Sequence, residues 1–266
     1  MKSLLIKNGE IITSIDRYVA DILIQDGTIK AIGKNLEKPS SAAEVIDAPG
    51  LLVLPGAVDG HVHMELPFMG EVSADDFETG TAAGLAGGTT SIIDFVIPAR
   101  NQDPMEALAA WKEKAKKSVA DYAFHMSLTW YGDKVEKAMH QCVKEEGITS
   151  FKTFMAYRGA IGVEDHELIS IMNVSKKLGS LVTAHCEHGE MVVDLQNKLF
   201  GEGKTAPKYH ALSRPAPLEG EATGRAIMLA RMTHTPLYIV HVTAAQAVDA
   251  ISEARARGQA VFGETC

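Results

Sequence analysis

Leu51-Leu-Val-Leu-Pro-Gly-Ala-Val58 runs straight into Asp59-Gly-His61-Val-His63, an apolar stretch that ends in two histidines. That ending recurs along the chain. Ser150-Phe-Lys152-Thr-Phe-Met-Ala-Tyr157 carries a lysine inside an apolar strand, and Leu181-Val-Thr-Ala-His185 and Leu237-Tyr-Ile-Val-His241 each close on an imidazole. Parallel strands that each end in such a residue converge on one point only if they wrap into a barrel. In a barrel, sites are assembled from the C-terminal ends of several strands.

Working outward, candidate strands at 51–58, 89–97, 122–129, 150–156, 181–186, 236–242 and 260–265 alternate with helical stretches near 74–86, 104–119, 133–146, 164–178, 218–233 and 244–257. Short, uniformly apolar strands alternating with helices indicate a parallel sheet covered on both faces. Without the two-sided reversal of a doubly wound sheet, the pattern predicts an α/β fold, a (β/α)8 TIM-type barrel of which about seven strands are present. Residues 51–266 form this domain, expected to lack its last βα unit because the sequence stops at Gly263-Glu-Thr-Cys266, at the close of strand seven. A partial sequence is the expectation. Residues 1–50 have a different period: short strands at 3–7, 10–12, 19–24, 28–32 and 44–47, with hairpin signals at Asn8-Gly9 and Asp26-Gly27, read as a small antiparallel β unit. The stretch 197–217, rich in Gly, Lys and Pro, is expected to be irregular and to lie over the site.

Composition narrows the partners. A formal charge of −8 on 266 residues argues against a nucleic-acid partner, which would call for a basic patch. No apolar run approaches the roughly 18 residues that span a bilayer, and the first seven residues lack a signal-peptide core, so no membrane role is expected. Cys142, Cys186 and Cys266 form no disulfide framework, which points to a reducing cytoplasm.

His61 and His63, two apart on a strand, project from one face and can share a metal ion such as zinc, nickel or iron; alone, such a pair also fits a structural or solvent-facing role. Asp59 shares that face as a supporting acceptor or a turn former. Lys152 either snorkels to the barrel mouth or sits buried, where its pKa falls and the neutral amine can take up carbon dioxide as a bridging carbamate. His185 and His241 each end an apolar strand. Five such residues at one end of one barrel point to a metal centre. His125, His140, His166, His188, His210 and His234 read as surface or packing residues, and Cys186 as a small buried apolar group.

The chain resembles the dihydropyrimidinases and hydantoinases, cyclic amidohydrolases of the amidohydrolase superfamily, over nearly its whole length. The resemblance is carried by Gly56-Ala-Val-Asp-Gly-His-Val-His63, Pro67-Phe-Met-Gly70, Asp75-Asp-Phe77, Ala86-Gly-Gly-Thr-Thr90, Phe151-Lys-Thr-Phe-Met-Ala-Tyr-Arg-Gly159, His185-Cys-Glu187, Ser213-Arg-Pro215 and Gly263-Glu-Thr-Cys266. It implies two zinc ions, His61 and His63 on the more buried, His185 and His241 on the more exposed, with carboxylated Lys152 and a hydroxide as bridges. It implies that the hydroxide attacks a ring amide carbonyl of a 5,6-dihydropyrimidine or hydantoin, that Tyr157 stabilises the oxyanion, and that the product is an N-carbamoyl amino acid, as in pyrimidine catabolism. It also implies a homotetramer or dimer, and a first domain that is part of a β-sandwich. The aspartate that the family places on strand eight lies past Cys266, so the chain by itself is expected to be inactive.

Three alternatives stand beside this reading. A dihydroorotase would carry an arginine where Glu65 stands, an allantoinase tends to lack a tyrosine at the place of Tyr157, and a catalytically silent cytoskeletal adaptor would have lost ligands that are all present here.

Overall fold

The computed structural model describes residues 3–68 and 70–265. Met69 of the Pro67–Gly70 motif and the terminal Cys266 lie outside the described residues. The chain divides into two compact units, Met1–Ala57 and Val58–Cys266.

In the first unit, β1 (Ser3–Ile12), β2 (Arg17–Gln25), β3 (Thr28–Gly33), β4 (Glu44–Asp47) and β5 (Leu52–Val53) form one sheet of order β3-β2-β1-β4, with β5 also on β1. The sheet is mixed rather than antiparallel: β1 runs antiparallel to β2 but parallel to β4 and β5. The two hairpin signals part ways. Asp26 and Gly27, at φ 49° and 74°, turn β2 into β3 as a two-residue turn requires. Asn8, at φ 61°, instead marks a register shift inside the continuous strand β1, and its N–H donates to the Asp21 carboxylate at 2.8 Å. A Cβ on Gly9 would stand 2.5 Å from the Val53 side chain, so the bulge needs glycine for close approach.

The stretch 51–58 is not one strand. Leu52–Val53 joins the first sheet, Pro55 has no N–H to continue a ladder, and β6 (Ala57–Val62) begins the second unit. There follow β7 (Pro67–Phe68), β8 (Glu71–Val72), α1 (Phe77–Gly87), β9 (Thr89–Val96), α2 (Pro104–Ala115), β10 (Asp121–Ser127), α3 (Asp133–Lys144), β11 (Ser150–Phe154) and α4 (Asp165–Leu178). The unit ends with β12 (Leu181–His185), α5 (Gly189–Gly201), α6 (Lys208–Leu212), α7 (Ala216–Thr233), β13 (Leu237–Ile239), α8 (Ala245–Ala256) and β14 (Val261–Gly263).

Seven strands form one sheet, β6-β9-β10-β11-β12-β13-β14, and each ladder from β9 to β14 is parallel. The sheet curls. His61 on β6 and Glu264, just past β14, are hydrogen-bonded through Nδ1 and Oε1, so the C-terminal ends of the two edge strands meet. This is the barrel expected from the strand pattern, open along one seam, with no eighth strand among the described residues. Phe77, Trp111, Met139, Phe151, Ile171, Val182 and Leu237 belong to one buried cluster between sheet and helices. Burying each such side chain contributes about 1.5–3 kcal/mol.

Local signals set the helix ends. Asp76 accepts from Thr79 N–H and opens α1, which ends at Gly88 with φ 97°. Glu164 and Glu167 form a capping box on α4, closed by Gly179 at φ 66°. The stretch expected to be irregular is largely helical, with α5 ending inside it and α6 within it. The start of α5 escapes a sequence reading because His188, an unusual cap, accepts through Nδ1 from Met191 N–H at 3.3 Å. Among the described residues no helix is long and apolar enough to cross a membrane.

Candidate functional site

Four strand ends of the second unit, those of β6, β11, β12 and β13, deliver their polar residues to the same end of the sheet. The His61 and His63 rings stand 5.3 Å apart, His61 and His241 5.5 Å, and His185 and His241 4.8 Å, centroid to centroid. Lys152 lies under them, 1% exposed, its Nζ 5.0 Å from the Phe95 ring and 5.1 Å from the Phe154 ring. Tyr157 sits at the rim, its ring 5.2 Å from that of His185. All six residues singled out in the sequence are thus brought together.

Burial governs their charge. It pushes His63 down to about 4 and His241 to about 3, with the neighbouring His61, His185 and Lys152 charges adding to the effect. Burial lowers His61 too, against the opposing pull of Glu264. These imidazoles are neutral at pH 7, the form in which they ligate metals. Burial pushes Lys152 down to about 7, so a large fraction of a normally protonated amine is free base near neutrality. The Cys186 thiol, driven up to about 12 by burial, stays protonated and is no nucleophile.

Carboxylates hold individual rings in place. Glu187 Oε2 accepts from His185 Nε2 at 2.5 Å and from Arg214 Nη1 at 2.5 Å. Burial would raise the Glu187 carboxyl, but the hydrogen bonds from His185 and Arg214 outweigh it and hold the group at about 2. The other nitrogen of His185, Nδ1, faces His241 Nε2 at 3.1 Å. Glu264 holds His61 and also accepts from Tyr238 Oη at 3.2 Å. His63 Nδ1 is buried without a hydrogen-bond partner. Asp59 accepts from the backbone N–H of His61 at 3.1 Å, so of its two expected roles it plays the turn former. Asp94 Oδ2 accepts from Met64 N–H at 2.7 Å and pins the segment just after His63.

Glu187, Arg214, Glu264 and Asp94 carried no assigned role in the sequence, although the first three fall inside motifs. His125 also proves closer than expected: its Nε2 donates to Gly60 O at 3.1 Å and its ring packs on Phe95 at 4.7 Å, a packing role directly beneath His61. Glu65 is correspondingly less exposed to the site, since its carboxylate pairs with Lys117 at 3.0 Å.

Two of the site residues sit in strained backbone. Tyr157 has φ 60° and His241 φ 41°, the left-handed region that side chains with a Cβ avoid. Such strain persists only where surrounding structure enforces it, and it clusters at functional sites. Tyr157, His185, Glu187, His210, Arg214 and His241 line a cleft of about 290 Å³. That volume suits a small ring rather than a polymer. His210 and Arg214 bring the connection from α6 to α7 over the cleft, as the stretch 197–217 suggested. Among the described residues no three His, Cys, Asp or Glu side chains stand at the spacing of a closed metal site.

A parallel α/β sheet that curls so its strand ends meet, with imidazoles and a buried amine gathered at that end, defines a barrel protein with its chemistry at the C-terminal face. Within that class, the chain belongs to the amidohydrolase family, whose pattern matches residues 52–258. It is 49% identical to a D-hydantoinase of Geobacillus stearothermophilus over 98% of this chain and 55% of that protein, and 46% identical to a dihydropyrimidinase of Dictyostelium discoideum over 98% and 52%. A crystal structure of D-hydantoinase superposes with a TM-score of 0.96 at 47% identity, covering 99% of this chain and 57% of that one. The L-hydantoinase of Arthrobacter aurescens gives 0.84 at 28% identity, covering all of this chain and 58% of that one. The chain thus spans about half the length of the relatives it matches.

Proposed function

We propose that the protein opens cyclic amides of the 5,6-dihydropyrimidine or hydantoin type to N-carbamoyl amino acids, at two zinc ions held by His61, His63, His185 and His241 with carboxylated Lys152 between them. The observation that carries this reading is the facing pair of imidazole nitrogens beside a buried amine that is about half free base near neutrality. His185 Nε2 has its proton engaged with Glu187, which leaves Nδ1 a lone pair aimed at His241 Nε2, 3.1 Å away. Tetrahedral zinc at about 2.0–2.1 Å from each nitrogen sets two ligands about 3.3 Å apart, so the pair fits such an ion. The orphaned Nδ1 of His63 fits a cationic guest in the same way.

When bound, the metal pair supplies Lewis acidity, acidifying water and polarising the carbonyl under attack. The chain's own residues do the rest. The cleft admits a five- or six-membered ring and fixes its orientation. Burial raises the Tyr157 phenol, which therefore stays protonated at neutral pH and can donate to the carbonyl oxygen as negative charge grows there. Lys152, as the carbamate, supplies an anion where an ammonium would repel the metals.

The names of the relatives favour this substrate class. With Cys142 and Cys186 both free, a reducing cytoplasm belongs to the same proposal, as do a homo-oligomeric assembly, a partial β-sandwich that comprises residues 1–50 and takes in Leu52–Val53, and a hydrolase barrel after it. A zinc-loaded form that also carries the strand-eight aspartate, incubated with dihydrouracil and with a 5-substituted hydantoin, should release the N-carbamoyl acid from at least one. Two bound equivalents of metal with no ring opening of either compound would overturn the substrate assignment.

A further inference from the structure

Two glutamates touch histidines of the centre, but only Glu187 is also held by a cationic side chain. Glu187 lies in the three-residue connection from β12 to α5, where His188 N–H donates to Leu218 O at 3.1 Å and ties that connection to α7. Arg214 reaches it from the turn between α6 and α7, a turn fixed by Ser213 Oγ donating to His210 O at 2.7 Å. One oxygen of Glu187 receives both the His185 ring and the Arg214 guanidinium, and both side chains of the ion pair are only 16% exposed. The guanidinium carbon lies 5.5 Å from the centroid of the Tyr157 ring, so the same arginine touches the residue at the rim.

We propose that Glu187, clamped by Arg214, is a positioning residue that holds the proton of His185 on Nε2 and so keeps the Nδ1 lone pair open toward His241. The alternative tautomer shows what the carboxylate prevents. With the proton on Nδ1, His185 would turn an N–H instead of a lone pair toward His241 Nε2, 3.1 Å away, and could not hold a cation through that nitrogen. A buried carboxylate that accepts at Nε2 makes that arrangement unfavourable, because its own charge would then lose a donor. Arg214 keeps the carboxylate pointed inward and contacts the Tyr157 ring, which a lysine could not do with the same fork. Glu187 therefore links the metal-facing nitrogen of His185 to the position of Tyr157 through a single arginine.

The inference rests on reading the cluster as a metal centre, and the test separates the two. The first measurement uses metal-free wild-type protein with 15N-labelled histidine, read by long-range 1H–15N NMR. It should find the His185 proton on Nε2; a proton on Nδ1 overturns the proposal without any variant. The second titrates Zn2+ against a chelator for wild type, Glu187→Ala and Glu187→Gln, with thermal melts alongside. Loss of a carboxylate behind a ligating histidine typically weakens metal binding by about 10–100-fold. Glu187→Ala should show that loss, and Glu187→Gln, which keeps an acceptor, a smaller one. A purely structural role would lower the melting temperature of both variants while leaving zinc affinity and the His185 tautomer as in wild type, and that result refutes the proposal. Should Glu187→Ala fail to fold, the tautomer and Glu187→Gln decide. If wild type binds no Zn2+, the metal reading fails on its own, and the tautomer still judges Glu187.

Discussion

His185 Nδ1 and His241 Nε2 face each other across 3.1 Å, although the two rings come from different strands and neither sequence position predicts the other's orientation. A divalent ion between them would take one lone pair from each ring. Replacing His241 by Asn should therefore remove about one of two bound metal equivalents after dialysis, measured by atomic emission, and leave the pair at His61 and His63 loaded. Undiminished metal content in His241→Asn would place the second ion elsewhere.

In the proposed centre the bridging anion would come from Lys152. Lys152→Ala should lose most of its bound zinc, with partial recovery when acetate or propionate fills the vacated volume. Wild-type protein equilibrated with 13C-bicarbonate should show a carbamate carbon resonance that is missing from the variant. Full zinc content in Lys152→Ala would rule out a bridging role.

The same lysine makes a pH prediction for metal-free protein in carbonate-free buffer. Its folded pKa of about 7 lies below the ordinary value of 10.5, so between those limits the unfolded chain holds a proton that the native state does not. Stability must then rise with pH over that window. The buried thiols of Cys142 and Cys186, both pushed up, act the other way above about pH 9, so the comparison belongs below it. Between pH 7 and about 9 wild type should gain on Lys152→Met by about 2 kcal/mol in denaturant melts. A difference that stays flat means the amine keeps its proton.

Much of this architecture was legible because strands and helices of the second unit repeat one signal, apolar runs that end in polar residues. What stayed hidden depends on contacts between distant segments. Leu52 and Val53 look like the start of a barrel strand but pair with β1, and nothing local distinguishes them. Asn8-Gly9 has the composition of a hairpin yet forms a bulge, because Val53 and Asp21 supply partners that only the fold brings near. The polar residues that close the strands could be read in advance. Glu187, Glu264 and Arg214 could not, since their partners lie from two to over two hundred residues away and only the curled sheet joins them.

Tyr157 should show the signature of a group that acts mainly on developing charge. Tyr157→Phe removes the phenolic donor while keeping the ring packed against His185. The expected loss is in kcat, by about 10²–10³-fold, with KM changed far less. Equal effects on both constants, or a rise in KM alone, would assign Tyr157 to ground-state binding.

The turn that carries Tyr157 has no slack at Gly162. A Cβ there would lie 2.1 Å from Ala156 O and 2.9 Å from the Tyr157 carbonyl carbon, both backbone atoms that cannot swing aside. Gly162 N–H and Ala160 N–H both donate to Tyr157 O, at 3.0 and 3.1 Å, so forcing the turn open loosens the residue already held at φ 60°. Gly162→Ala should cost about 1–3 kcal/mol in stability and lower kcat as Tyr157 shifts. Gly159, at φ 78° with open space around its Cβ position, is the control: its alanine variant pays backbone strain of about 1–2 kcal/mol but leaves the phenol in place. Thermal melts should therefore register both variants and turnover only the first; equal kcat in the two would show that the turn does not set the position of Tyr157.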